Sequence, residues 1–328
     1  MRLQDASVLN NEGRFAEAAR ILAGSTVPTA DKLAAEILSM QLAERLGDYA
    51  KARFQAERWL RTRQLPAEYQ SDCRYVVGKL DMLEGRLDTA VQQFERALAL
   101  ASEAKDHRRV CWIHLRLLTT NCERASAQAA SRWITLCRRE VTRLGDPAMT
   151  AALHIIVGEL AAKHGAVATS KRHTRLAQKL LRYAPNVWLQ AWSEITLVAL
   201  SLMMGDVKAG RRHAHAALES AELSGAAGVR VAALGNLGNL CILEGDWQRA
   251  KSYYSAASDL IPANTEQGRS LLESTARLHL LNGQFEEAAS CIAAVHAANG
   301  DEEKTRYIDR HTQLTKCVVN KRAGNLDN

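Results

Sequence analysis

The sequence predicts an all-α protein, an α-solenoid in which short antiparallel helix pairs stack side by side. Three observations predict it. The first is a local phrase that recurs behind six glycines: Gly13-Arg-Phe-Ala-Glu-Ala, Gly47-Asp-Tyr-Ala-Lys-Ala, Gly85-Arg-Leu-Asp-Thr-Ala, Gly205-Asp-Val-Lys-Ala-Gly, Gly245-Asp-Trp-Gln-Arg-Ala and Gly283-Gln-Phe-Glu-Glu-Ala. A seventh, Gly165-Ala-Val-Ala-Thr-Ser, keeps the glycine and loses the alanine, and the spacings are 34, 38, 80, 40, 40 and 38. Self-similarity at that period marks a repeat array. The second is composition: alanine and leucine abound, β-branched runs are scarce and only 5 prolines occur, which favours helix. The third is where those prolines fall. Pro28, Pro66, Pro147, Pro185 and Pro262 all stand between a predicted second helix and the next unit, and proline inside a helix costs about 3 kcal/mol.

Read in order, the units span approximately 1–32, 33–70, 71–110, 111–150, 151–190, 191–230, 231–268 and 269–307, with a C-terminal capping helix or the start of a further unit at 308–328. The unit around Gly245 is the clearest. Leu237-Gly238-Asn239-Leu240 ends a first helix; Trp247, Ala250, Tyr254, Ala257 and Pro262 follow the hinge. Spacings of three and four put Ala250, Tyr254 and Ala257 on one helical face. Gly238 and the two alanines let the helices approach, and Tyr254 fills the space between them. The unit at 71–110 repeats this with Gly78, Ala90, Phe94 and Ala97, and a degraded copy carries Gly158, Gly165 and Ala177. A leucine ladder recurs at Leu42, Leu80, Leu160, Leu200, Leu240 and Leu278. The unit at 111–150 is the least regular, and its hinge is expected at Ala125.

On these residues the chain resembles the tetratricopeptide repeat family: Leu-Gly, a hinge glycine, an aromatic two residues on, then alanine, aromatic, alanine and proline. The resemblance implies a right-handed superhelix of antiparallel helix pairs. The period near 40 exceeds the family's usual 34, which implies longer helices or linkers, as in the long-repeat variants of bacterial signalling regulators and peptide receptors. At the C-terminal end, Leu314, Cys317, Val318 and Val319 suit a polar cap poorly, so the chain is expected to be a segment or a shortened member of a longer regulator.

Composition narrows the work such an array does. The net charge of +7 permits an acidic partner without demanding nucleic acid, because the basic residues are scattered. Seven cysteines at irregular spacing suit reduced, buried thiols in a cytoplasmic protein. Met1-Arg-Leu-Gln-Asp-Ala is no leader sequence, and the longest apolar run, 195–204, is half of the roughly 20 residues a membrane span needs. Phosphate-loop and nucleophile-elbow motifs do not occur, and Gly235-Asn-Leu-Gly238 follows no strand. Cys111, His114, Cys122 and Cys137 do not form the tight pairs zinc requires. His173, His213 and His215 read as solvated helix surface. The sequence therefore predicts no enzyme, no metal and no cofactor.

Binding residues are placed by the resemblance. In that family the ninth position of each first helix faces the concave groove; here it reads Gln41, Lys79, Thr119, Glu159, Ala199, Asn239 and Arg277. Asn236 and Asn239 suit the role of amides that pair with the backbone of an extended peptide. The clamp by which some relatives hold a C-terminal carboxylate needs a lysine where Gly235 stands, which disfavours that mode. Trp112 and Trp192, two units apart, serve either as binding anchors or as filler between helices. The groove candidates are thus Asn236, Asn239, Lys79, Arg277, Trp112 and Trp192. A register-matched basic ridge, Arg132, Arg172 and Arg212, lies on the second helices and offers an acidic protein surface or phosphates a stripe; aromatic interleaving for single-stranded nucleic acid is lacking. The expected function is a non-catalytic protein- or peptide-binding scaffold, the sensory or interaction region of a bacterial regulatory system. The alternative is a regulatory segment of a transcription regulator or signalling ATPase whose output domain is separate from this chain.

Overall fold

The computed structural model describes residues 2–299 apart from 125 and 126, together with Thr312, Thr315, Lys316 and Val318. The expected hinge at Ala125, and Leu314, Cys317 and Val319, lie outside the described residues. The described residues are helical, with no strand among them. The helices pair as α1 (Arg2–Asn11) with α2 (Phe15–Ala23), α3 (Lys32–Leu46) with α4 (Tyr49–Leu60), α5 (Ala67–Leu83) with α6 (Leu87–Glu103), and α7 (His107–Arg124) with α8 (Ala127–Leu144). They continue as α9 (Pro147–Lys163) with α10 (Val167–Tyr183), α11 (Val187–Met203) with α12 (Val207–Ser224), α13 (Ala227–Leu243) with α14 (Trp247–Ser258), and α15 (Glu266–Leu281) with α16 (Phe285–Asn299). The array divides into two compact units, 1–229 and 230–328.

The recurrent phrase has a backbone cause. All seven hinge glycines have φ between 73° and 94°, the left-handed region that side chains other than glycine resist. Behind each, the next N–H reaches back five residues to a helix carbonyl, as in Asp48 to Ala43 (2.9 Å), Arg86 to Asp81 (2.8 Å) and Asp246 to Cys241 (2.9 Å). That bond terminates the first helix. Where aspartate follows the glycine, it starts the second: Asp48, Asp206 and Asp246 accept the backbone N–H three residues on and cap it. The long period is absorbed by the helices themselves, since α5 through α13 each run 17 or 18 residues across turns of two or three. The prolines sit at the joints, Pro147 at the first position of α9 behind the Asp146 cap, where its missing N–H costs nothing.

In three of the pairs the close approach is set by a glycine. A Cβ on Gly238 would lie 2.8 Å from Tyr254 Cδ1, and one on Gly78 would lie 2.8 Å from Phe94 Cε1. In the degraded copy a Cβ on Gly158 would stand 3.0 Å from the Thr174 hydroxyl. Phe94 and Tyr254 are buried, as are the alanines a turn to either side of each, Ala90, Ala97, Ala250 and Ala257.

The first unit departs from an open array. Its N-terminal pair packs against the sixth. The Asn186 side chain caps α11 by accepting from Leu189 N–H and donates to the Asn11 carbonyl at 2.8 Å, while Val187 N–H bonds the Glu12 carbonyl at 3.0 Å. Gly13 permits this contact: a Cβ there would lie 2.8 Å from Trp188 N. Gly225, at the end of α12, approaches Ala16 of α2 in the same way. One hydrophobic cluster accordingly joins Ala6, Phe15, Leu42, Leu115, Leu153, Trp188 and Ala221.

Two glycines of α13 test the packing of the pairs. Gly238→Ala is expected to cost about 1–3 kcal/mol through overpacking against Tyr254. Gly235→Ala, whose Cβ would meet nothing within 4 Å, is expected to be neutral or to stabilise by up to about 1 kcal/mol through helix propensity. Urea midpoints of the two variants check this, and equal shifts would contradict the assigned faces.

Candidate functional site

Closure of the first unit gathers side chains from α2, α3, α5, α7 and α11 around Trp188. The ring of Trp188 lies 6.2 Å from Phe15, 5.8 Å from Trp112 and 5.4 Å from Trp192, centroid to centroid. The Arg45 guanidinium stacks over both Trp188 (4.5 Å) and Phe15 (5.1 Å). Arg116 approaches Trp188 and Trp192 at 6.0 and 5.9 Å and donates from Nε to the Tyr75 hydroxyl at 3.3 Å. Cation–π contacts of this kind gain strength as water is excluded. Trp192 donates its indole N–H to Glu159 at 3.1 Å.

Beside this cluster, Lys79 forms a buried hydrogen-bonded ion pair with Glu44. Burial pushes the Glu44 carboxyl up, but Lys79, Arg45 and Arg116 together outweigh it and hold the pKa below the ordinary range. Burial drives the Lys79 ammonium well down, Arg45 adds to this, and Glu44 opposes it. A cavity of about 120 Å³ opens next to the pair, lined in part by Asn10, Gln41, Glu44, Arg45, Tyr75 and Trp112. At its edge Arg109 pairs with Asp72, whose pKa burial raises to about 6 against the pull of Arg109.

The groove candidates therefore separate. Lys79, expected in an open groove, is 5% exposed and engaged by Glu44. Trp112 and Trp192 are half-buried and pack on Trp188, because the N-terminal pair closes over the helices that carry them. Asn239 and Arg277 belong to the second unit, where one polar network joins their neighbours. Tyr254 donates to Asn239 Oδ1 at 2.8 Å, and Arg277 bonds Ser274 and Glu273, each at 3.1 Å. Thr315 donates to Glu273 at 2.9 Å. Asn236 is partly exposed on α13. Arg132, Arg172 and Arg212 are exposed on α8, α10 and α12. Trp188, Arg45 and Arg116 were not singled out by sequence reasoning. The available signal was aromatic clustering, Trp188 and Trp192 one helical turn apart in a chain with 5% aromatic residues.

The histidines need a correction. His173 is not solvated surface: it is 7% exposed and its Nδ1 lies 2.8 Å from His154 Nδ1. One Nδ1 must donate and the other accept, so the two rings cannot both become imidazolium. Burial, then His173, Arg138 and Arg172 depress the His154 pKa to about 4. His213 instead pairs with Glu194 at 2.7 Å, and His215 is exposed. Among the described residues no three His, Cys, Asp or Glu side chains form a metal-binding group, and no helix is long and apolar enough to cross a membrane.

These hairpins define a helical-repeat protein whose first unit is closed on itself. A tetratricopeptide repeat profile matches residues 233–266, the pair built around Gly238 and Tyr254. Solved structures with similar folds include a chain of the APC/C hetero-tetramer Cut9-Hcn1, at 12% identity and TM-score 0.60, covering 96% of this chain and 55% of that one. A Rap protein complexed with Competence and Sporulation Factor matches at 10% identity and TM-score 0.60, covering 99% and 92%. NprR in complex with its cognate peptide NprX matches at 12% and 0.56, covering 96% and 97%. The chain thus spans about half the length of the Cut9-Hcn1 chain, and identities this low establish the fold alone. No curated protein sequence matches this one. The fold is that of tetratricopeptide repeat proteins.

Two outcomes follow from the electrostatics. Glu44→Gln leaves Lys79, Arg45 and Arg116 without a counter-charge and is expected to cost about 3–5 kcal/mol; Lys79→Met, which leaves Glu44 facing two arginines, is expected to cost less. Chemical denaturation of both variants checks the asymmetry. An unfolded histidine titrates near 6.5, so between that pH and about 4 the unfolded chain binds a proton that His154 refuses. Stability should therefore fall as pH drops through this window, and His154→Gln should flatten the slope. Melting temperatures measured from pH 7.5 to 4.5 decide it.

Proposed function

We propose that this chain is a non-catalytic interaction scaffold of a regulatory system, holding an extended peptide segment or a protein partner on α13 and α15. The observation that carries the reading is the network of the second unit. Tyr254, anchored against Gly238, fixes the Asn239 amide by donating to its oxygen. The amide nitrogen keeps its donors for a backbone carbonyl. Asn236 stands one helical turn earlier on α13, and Arg277, with 44% of its side chain exposed, supplies a cation on the neighbouring first helix. Amides and a guanidinium held on rigid helices recognise a peptide backbone with little ordering cost. The Rap and NprR structures, each in complex with a peptide or factor, support the same class of partner. The exposed ridge of Arg132, Arg172 and Arg212 adds a surface suited to acidic proteins. A cytoplasmic setting accords with the free thiols of Cys73, Cys111, Cys137, Cys241 and Cys291.

The test compares partner capture by the wild-type chain, Asn239→Ala, Asn236→Ala and Arg277→Ala, read by mass spectrometry after affinity purification. Each variant is expected to retain its helical circular dichroism and to lose the same partner at least about tenfold, as the loss of about 1.4 kcal/mol implies. Partners recovered equally by all three variants would sink the reading.

A further inference from the structure

The charges gathered around Glu44 do not balance. Lys79, Arg45 and Arg116 converge on Glu44, and these are the charged groups that act most strongly on it. Of these, only Lys79 hydrogen-bonds the carboxylate; Arg45 Nε stays 3.6 Å from Glu44 Oε2. Arg116 spends its Nε on the Tyr75 hydroxyl. The local sum is two guanidiniums and an ammonium that burial disfavours, against one carboxylate, in surroundings where an uncompensated charge is costly. In the wider lining Arg108 and Arg109 are engaged by Asp146 and Asp72, and Asp106, which caps the Arg109 backbone N–H at 2.9 Å, offsets one charge and leaves an excess of one cation.

Arg45 also has the geometry of a receptor. Its guanidinium lies against the rings of Phe15 and Trp188, its side chain is 16% exposed, and it makes no hydrogen bond to a protein acceptor among the described residues. A guanidinium held by aromatic contacts keeps its planar fork of N–H donors, the arrangement that takes a planar oxyanion on two parallel bonds. Those donors border the cavity, with the Gln41 and Asn10 amides beside them. The cavity volume of about 120 Å³ matches about four water molecules at roughly 30 Å³ each. That admits a carboxylate of a few carbon atoms.

We propose that the cavity between α1, α3, α5 and α7 is a binding site for a small free carboxylate, held by the Arg45 guanidinium and the Gln41 amide. Bound there, the anion neutralises the excess charge and ties α3 to the closing pair through Asn10. The site is separate from the partner surface on α13 and α15, and either assignment can fail without the other.

The experiment is a thermal melt of the full chain at constant ionic strength, with acetate, succinate, phosphate or chloride as the titrant. Acetate or succinate is expected to raise the melting temperature saturably, and chloride is not. Arg45→Met, which keeps the packing on Trp188, should melt cooperatively and lose the response; Arg61→Ala, exposed just past the end of α4, should keep it. If Arg45→Met does not fold, Arg45→Lys and Gln41→Ala replace it. Arg45→Lys keeps the charge and loses the fork, so a site as proposed binds at least tenfold more weakly, whereas general charge screening leaves the response intact. An equal response to chloride, a response to phosphate alone, or an undiminished response in the Arg45 variants would each overturn the proposal.

Discussion

Everything in the array rests on how closely two helices of a pair can approach. Gly78 facing Phe94 and Gly238 facing Tyr254 are positions where a single methyl group would collide with a ring. Dense packing at that point fixes the axial distance between helices. With the distance fixed, the flanking alanines become buried contacts, and the paired helices present one continuous surface to the next pair. The hinge glycine does the complementary work. Its left-handed backbone ends one helix and turns the chain so that an aspartate can start the next.

Successive pairs then accumulate curvature, and in the first unit this accumulation has an endpoint. The α1–α2 pair meets α11 and α12 through Asn186, Gly13 and Gly225. A residue 175 positions away supplies the hydrogen bond that satisfies the carbonyl at the end of α1. Closure converts the inner face of the unit from a groove into an interior. Side chains that would be solvated in an open array, Lys79 and Arg116 among them, become buried, and their charges must be answered from within.

The two units consequently differ in what they can offer a partner. The first encloses an aromatic and cationic cluster around a small cavity. The second keeps Asn236, Asn239 and Arg277 partly exposed while one of them is oriented by an internal tyrosine. A scaffold with a rigid polar face and a separate charged interior suits regulation, because occupancy of the interior affects the packing of the helices around it.

Periodicity made the helix pairs, their hinges, the joints marked by proline and the Gly238–Tyr254 contact legible in the sequence. These depend on residues three to twenty apart, and backbone geometry and volume decide them locally. The same alignment placed Asn239 and Arg277 in equivalent positions of neighbouring first helices. It also placed Lys79 there, without indicating that Glu44 and the closing pair bury it. Nor did it reveal Trp188, Arg45 and Arg116 as one cluster, or His173 as the partner of His154. Those facts were decided by tertiary structure, for a physical reason. A repeat pattern specifies how each pair meets its neighbour, but closure depends on the summed rotation of six pairs, and burial, charge balance and proton affinity follow from closure.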